Sequence, residues 1–425
     1  MATGAVEQVK GASGHLRNYM LVTGAYWADT LTDGALRMLV LLYFYQRGYS
    51  ALEVAMLFLF YEVFGIVTNL VGGWIAARLG LKSTLFAGLG TQLVALSMLM
   101  AGAGWLTVPY VMVAQALSGI AKDLTKMSSK SAVKLLVTDD SQSTLFKYVA
   151  VLTGSKNALK GIGFFVGGLL LYLVEFRASV LVLAILVATA LASTAILMRG
   201  DLGTANKKAK FQQVFSNNRS VNLLAAARVF LFASRDVWFV VGLPVFLRSV
   251  IGWNFWQVGA FMAVWIIGYG AVQAASPMIL RRFYRDSGNA PDGTTAMWLA
   301  LILAAFPAGI ALGLAGDLPA AWIIVVGLIA FGVIFALNSA VHSYLILAYT
   351  DNDKVAMNVG FYYMANACGR LAGTVLSGIL YQQYGLEGCL WASAGIILVA
   401  GVISSLLPSN RNATVSLAAA TGGGD

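Results

Sequence analysis

Long apolar runs separated by short polar connections set the pattern of this chain from about residue 17 to about residue 408. Several runs exceed the roughly 20 residues that an α-helix needs to cross the hydrocarbon core of a bilayer. The pattern predicts twelve membrane-spanning helices, at 17–45, 52–77, 83–103, 107–137, 147–174, 178–198, 221–247, 256–280, 295–315, 319–348, 356–383 and 388–408. Between the sixth and seventh lies the longest polar stretch, "RGDLGTANKKAKFQQVFSNNRS". It divides the chain into an N-terminal six-helix half (1–198), a cytoplasmic linker (199–220) and a C-terminal six-helix half (221–425). The expected fold class is therefore all-α and polytopic.

A short internal repeat agrees with that division. "LKGIGFFVGGLL" (159–170) aligns with "GRLAGTVLSGIL" (369–380), placing Lys160 on Arg370, Gly163 on Gly373 and Gly168 on Gly378. The fifth and eleventh helices are then equivalents in two halves related by an axis along the membrane normal. Their small residues allow close helix–helix approach.

Composition strengthens the membrane reading. Of the 425 residues 59% are hydrophobic and only 11% charged, against about 25% charged in a soluble protein. The net charge of +10 reports topology before any nucleic-acid partner, because basic residues gather on the cytoplasmic side of membranes. With both termini inside, the cytoplasmic segments hold most of the loop Lys and Arg, and the opposite side only Arg47, Arg177 and Arg248. Cys368 and Cys389 are isolated within apolar segments and match no metal or redox spacing. The start of the chain lacks a signal-peptide pattern, so the first span is expected to remain in the mature protein.

Charges inside the spans carry the chemistry. An ionised side chain at the bilayer centre costs about 2.5–3.5 kcal/mol on insertion scales. Yet Lys122, Lys126, Lys130 and Lys134 recur at every fourth position of the fourth span, forming a ladder along one helix face. The deep basic residues are Arg37, Lys122, Lys126, Lys130, Lys156, Lys160, Arg228, Arg235 and Arg370, and the deep acids Asp29, Asp33, Glu62, Asp123 and Asp236. This surplus of cations predicts a hydrated, electropositive cavity that an anion visits. Direct contact is expected foremost from Lys122, Lys126, Lys156, Lys160, Arg235 and Arg370, the arginines gripping oxyanions bidentately and the lysines acting as point charges.

Plainer readings fit some of these residues as well. Lys130 and Lys134 suit interfacial topology markers. Arg235 beside Asp236, and Arg37 one turn from Asp33, suit structural pairs, and Asp123 can pair with Lys126 at i, i+3. Asp29 and Asp33, one turn apart, could share a proton in an ion-coupled cycle. His342 suits a packing residue, and "YWADT", "VWFVV" and "GWNFWQ" suit packing and interfacial belts.

The loop "GGWIAARLGLKSTL" (72–85) resembles the signature between the second and third helices of the major facilitator superfamily. Gly73, Arg78, Gly80 and Lys82 fit it as a gating loop, while Ala77 stands where that family usually has aspartate. A narrower resemblance lies in "YWADTLTDGALRMLVLLYF" (26–44), "FLFYEVFGIVTNLVGGWIAARLGL" (58–81), "QALSGIAKDLTKMSSKSAVKLLV" (115–137), "LTGSKNALKGIGFF" (152–165) and "RDVWFVVGLPVFL" (235–247). These blocks resemble the ArsJ-type organoarsenical efflux permeases. The resemblance implies export of 1-arseno-3-phosphoglycerate, a phosphorylated anion, from the bacterial inner membrane. It also implies arsenate resistance and a functional pairing with a glyceraldehyde-3-phosphate dehydrogenase. On this reading Lys122, Lys126, Lys156 and Lys160 hold one end of the anion, and Arg235 and Arg370 the other, while the halves rock to give alternating access. Export of other organic phosphates, or proton-coupled drug export, is the alternative. No HExxH, GxSxG or Cys/His cluster points to an enzyme, no cofactor, metal or nucleic acid is expected, and a monomer is.

Overall fold

The computed structural model describes residues 2–136, 142–198, 218–284, 291–316, 319–349 and 355–408. They form thirteen helices: α1 (Ala2–Gln46), α2 (Ala51–Leu57), α3 (Leu59–Leu79), α4 (Leu81–Leu99), α5 (Val108–Leu136), α6 (Gln142–Leu173), α7 (Phe176–Leu197), α8 (Arg219–Phe239), α9 (Gly242–Ser249), α10 (Phe255–Tyr284), α11 (Gly293–Leu314), α12 (Ala320–Ala348) and α13 (Val355–Ser405). Helix is what the apolar runs must form, since lipid offers no partners to backbone N–H and C=O groups. The twelve spans map onto these elements: α2 and α3 together make the second span, α8 and α9 the seventh, and α13 the last two.

Two of these departures have local causes. Pro244 lies in the first turn of α9, where it cannot donate to Val240 and its ring crowds that carbonyl, so the seventh span breaks at Val240 and Val241. The freed N–H groups of Val241 and Gly242 both donate to Ser377 Oγ, at 3.3 and 3.1 Å. Ser377, on α13, in turn accepts at its carbonyl from the Cys389 thiol at 3.8 Å. The break inside α13 falls at Gly385, with φ 64° and ψ −161°, a backbone conformation that only glycine adopts readily. Some helix starts are capped by side chains: Ser50 and Glu53 form a reciprocal capping box on α2. Asn218 Oδ1 accepts from Ser220 N and Val221 N at the head of α8, and its amide donates to Tyr349 O at 2.8 Å.

The chain forms two compact units, one of Met1–Gln212 with Leu247–Ile267 and the other of Gln213–Phe246 with Gly268–Asp425. In the first, α1 packs along α6 and α5 against α3 and α4. In the second, α8 packs along α13, and α11 lies against α12 and α13. Outward-facing side chains such as Ile196, Trp322 and Val402 are exposed, as lipid-facing residues are. Trp238 is fully buried, edge-on to Phe331 at 5.2 Å, so "VWFVV" is a packing element.

The same contact recurs within each unit. Gly163 of α6 sits on the backbone of Leu31, Gly34 and Ala35 in α1, where any Cβ would strike the Leu31 carbonyl. Gly373 of α13 sits on α8, where a Cβ would come within 2.8 Å of the Ala233 carbonyl and 2.7 Å of Asp236 Cβ. These approaches bring Lys160 to act on Asp33 of α1, and Arg370 to 3.6 Å from Asp236 of α8. Each unit thus sets a cation from its fifth helix beside a carboxylate from its first.

Candidate functional site

In the first unit, Asp29, Asp33 and Arg37 fall at successive i+4 positions of α1 and share one face. All three are buried. Arg37 Nη2 meets Glu62 Oε1 of α3 at 2.6 Å, with side chains 8% and 2% exposed. Its guanidinium also lies 5.3 and 4.9 Å from the ring centres of Phe58 and Tyr61. Glu62 is therefore an ion-pair partner of Arg37 that comes from another helix. Asp33 accepts from the Tyr61 hydroxyl, and the same hydroxyl accepts from Lys122 Nζ at 2.9 Å. Tyr61 thus stands between the first lysine of the ladder and Asp33, with Lys122 Nζ 4.1 Å from its ring centre.

The second rung is engaged more fully. Lys126 Nζ lies 2.7 Å from Asp123 Oδ1 and donates to Asn69 Oδ1 at 2.9 Å. Asp123 Oδ2 accepts from Thr68 Oγ1 at 2.9 Å and from Asn69 Nδ2 at 3.3 Å. The i, i+3 pair expected from spacing is present, and two polar residues of α3 complete it. Asp29 is the exception: buried, with an Oδ1 that has no hydrogen-bond partner, and with the Tyr61 hydroxyl rather than its own carboxyl on Asp33. On α6, Lys160 is half-buried, 5.7 Å from the Phe164 ring centre, whereas Lys156 is exposed. Leaving exposed Lys156 aside, four embedded bases (Arg37, Lys122, Lys126, Lys160) meet four acids (Asp29, Asp33, Glu62, Asp123) among the described side chains. Counting those described side chains alone, without Lys130 and Lys156, this region is formally balanced.

The second unit is not. Arg235 Nε donates to Asp236 Oδ1 at 2.6 Å and Nη2 approaches it at 2.5 Å. Arg370 Nε is 3.6 Å from Asp236 Oδ2, which receives no hydrogen bond. One carboxylate therefore serves two guanidinium groups. Arg228, two turns before Arg235 on α8, is only 4% exposed and meets neutral groups. Its Nε donates to Asn366 Oδ1 at 3.2 Å, and its Nη1 to Ser339 O at 3.2 Å and Ser339 Oγ at 3.1 Å. No described carboxylate lies within ion-pair distance of it. Among the described side chains, three arginines thus face one embedded acid, a surplus of two positive charges in a low-dielectric setting.

The side chains of Lys130, Lys134, Gly73 and Arg78 lie outside the described residues. Gly80 opens α4 with φ 85°, and Lys82 Nζ reaches Met198 O at 3.5 Å, joining the start of α4 to the end of α7. Charge counting overlooked the neutral partners Tyr61, Asn69, Ser339 and Asn366. Their signal was present all the same: an amide inside an apolar run has to be hydrogen-bonded, so Asn69 and Asn366 each announce a buried polar contact.

A helical bundle with paired glycine contacts and embedded ions in both units defines a polytopic membrane transporter. The family model of the Major Facilitator Superfamily matches residues 22–342, and the chain belongs to that family. Solved structures with the same fold include a POT family transporter in complex with 5-aminolevulinic acid (TM-score 0.71, 14% identity, 91% of this chain and 95% of that one). The nucleoside transporter NupG, solved as a point mutant, is similar to the same degree (0.71, 14%, 92% and 99%). A bacterial homologue of the iron transporter ferroportin, inward-facing, also matches (0.67, 15%, 93% and 98%). At these identities the likeness shows the fold. No curated protein matches the chain significantly.

Proposed function

We propose that this transporter exports an organic anion, and that the anion is the phosphorylated organoarsenical 1-arseno-3-phosphoglycerate, giving arsenate resistance together with a glyceraldehyde-3-phosphate dehydrogenase that makes it. The observation that carries this reading is the charge imbalance of the second unit, three buried or half-buried arginines against Asp236. Uncompensated charge in a membrane is costly, and a visiting anion offsets it. The blocks of sequence that resemble the ArsJ-type permeases supply the identity of the cargo. An exporter of cationic drugs would want the opposite imbalance.

The membrane potential alone can drive this export. Each negative charge leaving a cell polarised by 100 mV gains about 2.3 kcal/mol, so a divalent or trivalent anion gains about 5–7 kcal/mol. Asp29, buried with an unpartnered oxygen, favours a second reading in which a proton is exchanged. Counterflow in liposomes separates the options. Lumenal 3-phosphoglycerate should accelerate entry of enzymatically generated arseno-phosphoglycerate far more than arsenate or phosphate does. Equal acceleration by inorganic arsenate, or none by any anion, contradicts the proposal.

A further inference from the structure

We infer that the second unit by itself carries a two-point grip for a short organic anion bearing a negative group at each end, with Arg228 at one point and Arg235 with Arg370 at the other. The inference rests on the anion-export reading above and names how that anion is held. Arg228 and Arg235 are seven residues apart on α8, two turns, and so return to nearly the same face. Both guanidinium groups lie against one ring: the Cζ atoms are 4.0 and 4.9 Å from the centre of Phe232. They therefore lie within about 9 Å of each other. A three-carbon chain separates its terminal groups by roughly 5–6 Å, a spacing that two forks this close match when they open towards the same side and each holds one end.

The two points differ in chemistry. The described groups that Arg228 hydrogen-bonds are neutral. Ser339 Oγ accepts from Tyr269 Oη at 3.1 Å and from Gln273 Nε2 at 3.4 Å, besides Arg228 itself. The Tyr362 ring lies 4.9 Å from the guanidinium. His342, three residues after Ser339 on α12, is buried with an Nδ1 that has no hydrogen-bond partner. A buried cation held by neutral groups, with no described carboxylate at ion-pair distance, is an arrangement that a carboxylate or a phosphate-like group completes. At the other point Asp236 is shared, held tightly by Arg235 and loosely by Arg370, and a second oxyanion restores one negative charge per arginine. The surplus of two charges suits a dianion. Lys122 and Lys126, engaged by Tyr61 and by Asp123 with Asn69, are not needed as an anchor for either end.

The test is equilibrium binding to the purified full-length protein, with 3-phosphoglycerate as the two-ended probe and glycerol 3-phosphate as the one-ended probe. The wild-type protein should prefer 3-phosphoglycerate by tenfold or more. Arg228→Gln should weaken 3-phosphoglycerate by roughly tenfold or more and glycerol 3-phosphate by less than threefold, erasing the preference. Arg235→Gln should weaken both by roughly tenfold or more. Asn366→Ala, which keeps the guanidinium but removes an acceptor that positions it, should reduce the preference at least threefold, and it provides the reading should Arg228→Gln fail to fold. If the preference survives in either variant, or both probes weaken equally in folded Arg228→Gln, the two-point grip is wrong while anion export stands. If the wild-type protein binds neither anion but binds tetraphenylphosphonium, the export reading falls with it.

Discussion

Replacing Glu62 by Gln removes the carboxylate that Arg37 meets at 2.6 Å, in a site where the two side chains are 8% and 2% exposed. At 2.6 Å and an effective dielectric of about 20, the pair attracts by about 6 kcal/mol. Desolvation of both ions offsets much of that, so the net value of the pair against an apolar replacement is near zero. Loss of one partner is different, because it leaves the desolvation cost without the attraction, and about 3–5 kcal/mol is the expected destabilisation. Glu62→Gln and Arg37→Gln should therefore each lower the apparent Tm by about 5–10 °C. The double variant Arg37→Leu with Glu62→Leu should return to within about 3 °C of wild type, a strongly non-additive cycle. The assay is detergent-solubilised thermal unfolding followed by tryptophan fluorescence, with anion counterflow measured on the same preparations. If the engagement of Arg37 by Glu62 is structural, counterflow should persist in the double variant. Single variants that add to give the double, or a double variant that is stable yet transport-dead, would refute the assignment of Arg37 as structural.

Four further outcomes follow from other contacts. Ser377→Ala leaves the Val241 and Gly242 N–H groups unbonded at the break of the seventh span, and should cost about 1–3 kcal/mol in the same unfolding assay. Gly373→Val forces α13 away from the Ala233 carbonyl and Asp236 Cβ, and should abolish a monodisperse peak on size-exclusion chromatography. Lys126→Gln removes the counter-charge of a carboxylate that keeps its Thr68 and Asn69 hydrogen bonds; counterflow of 3-phosphoglycerate should fall less than threefold, and a tenfold loss would return the lysine ladder to the substrate site. Asp29→Asn should preserve potential-driven export with no pH gradient, and its loss would establish the proton-exchange reading.

Much of the fold was legible because lipid removes the alternatives to helix, so apolar length translates directly into spans. Local charge pairs were legible too: Asp123 with Lys126, and Arg235 with Asp236, are set by spacing on one helix or by adjacency. The contact of Arg37 with Glu62 was not, because Glu62 comes from another helix. The division of the acids was legible as well, since Asp29, Asp33, Glu62 and Asp123 fall in the first half and Asp236 in the second. What each acid contacts was not: Tyr61 stands between Lys122 and Asp33, and Asp236 is shared by Arg235 and Arg370. The break at Val240 had its signal in Pro244, which apolar counting passes over because proline does not lower hydropathy enough to end a run.

The account claims that the cargo is negative, and the charge carried in transport tests that most directly. Proteoliposomes loaded with 3-phosphoglycerate are given a potassium diffusion potential, interior negative, at equal pH on both sides. Efflux that accelerates as the interior becomes more negative is the expected result. Efflux indifferent to voltage and driven instead by a pH gradient, or vesicles that move a lipophilic cation and no phosphorylated acid, would contradict it.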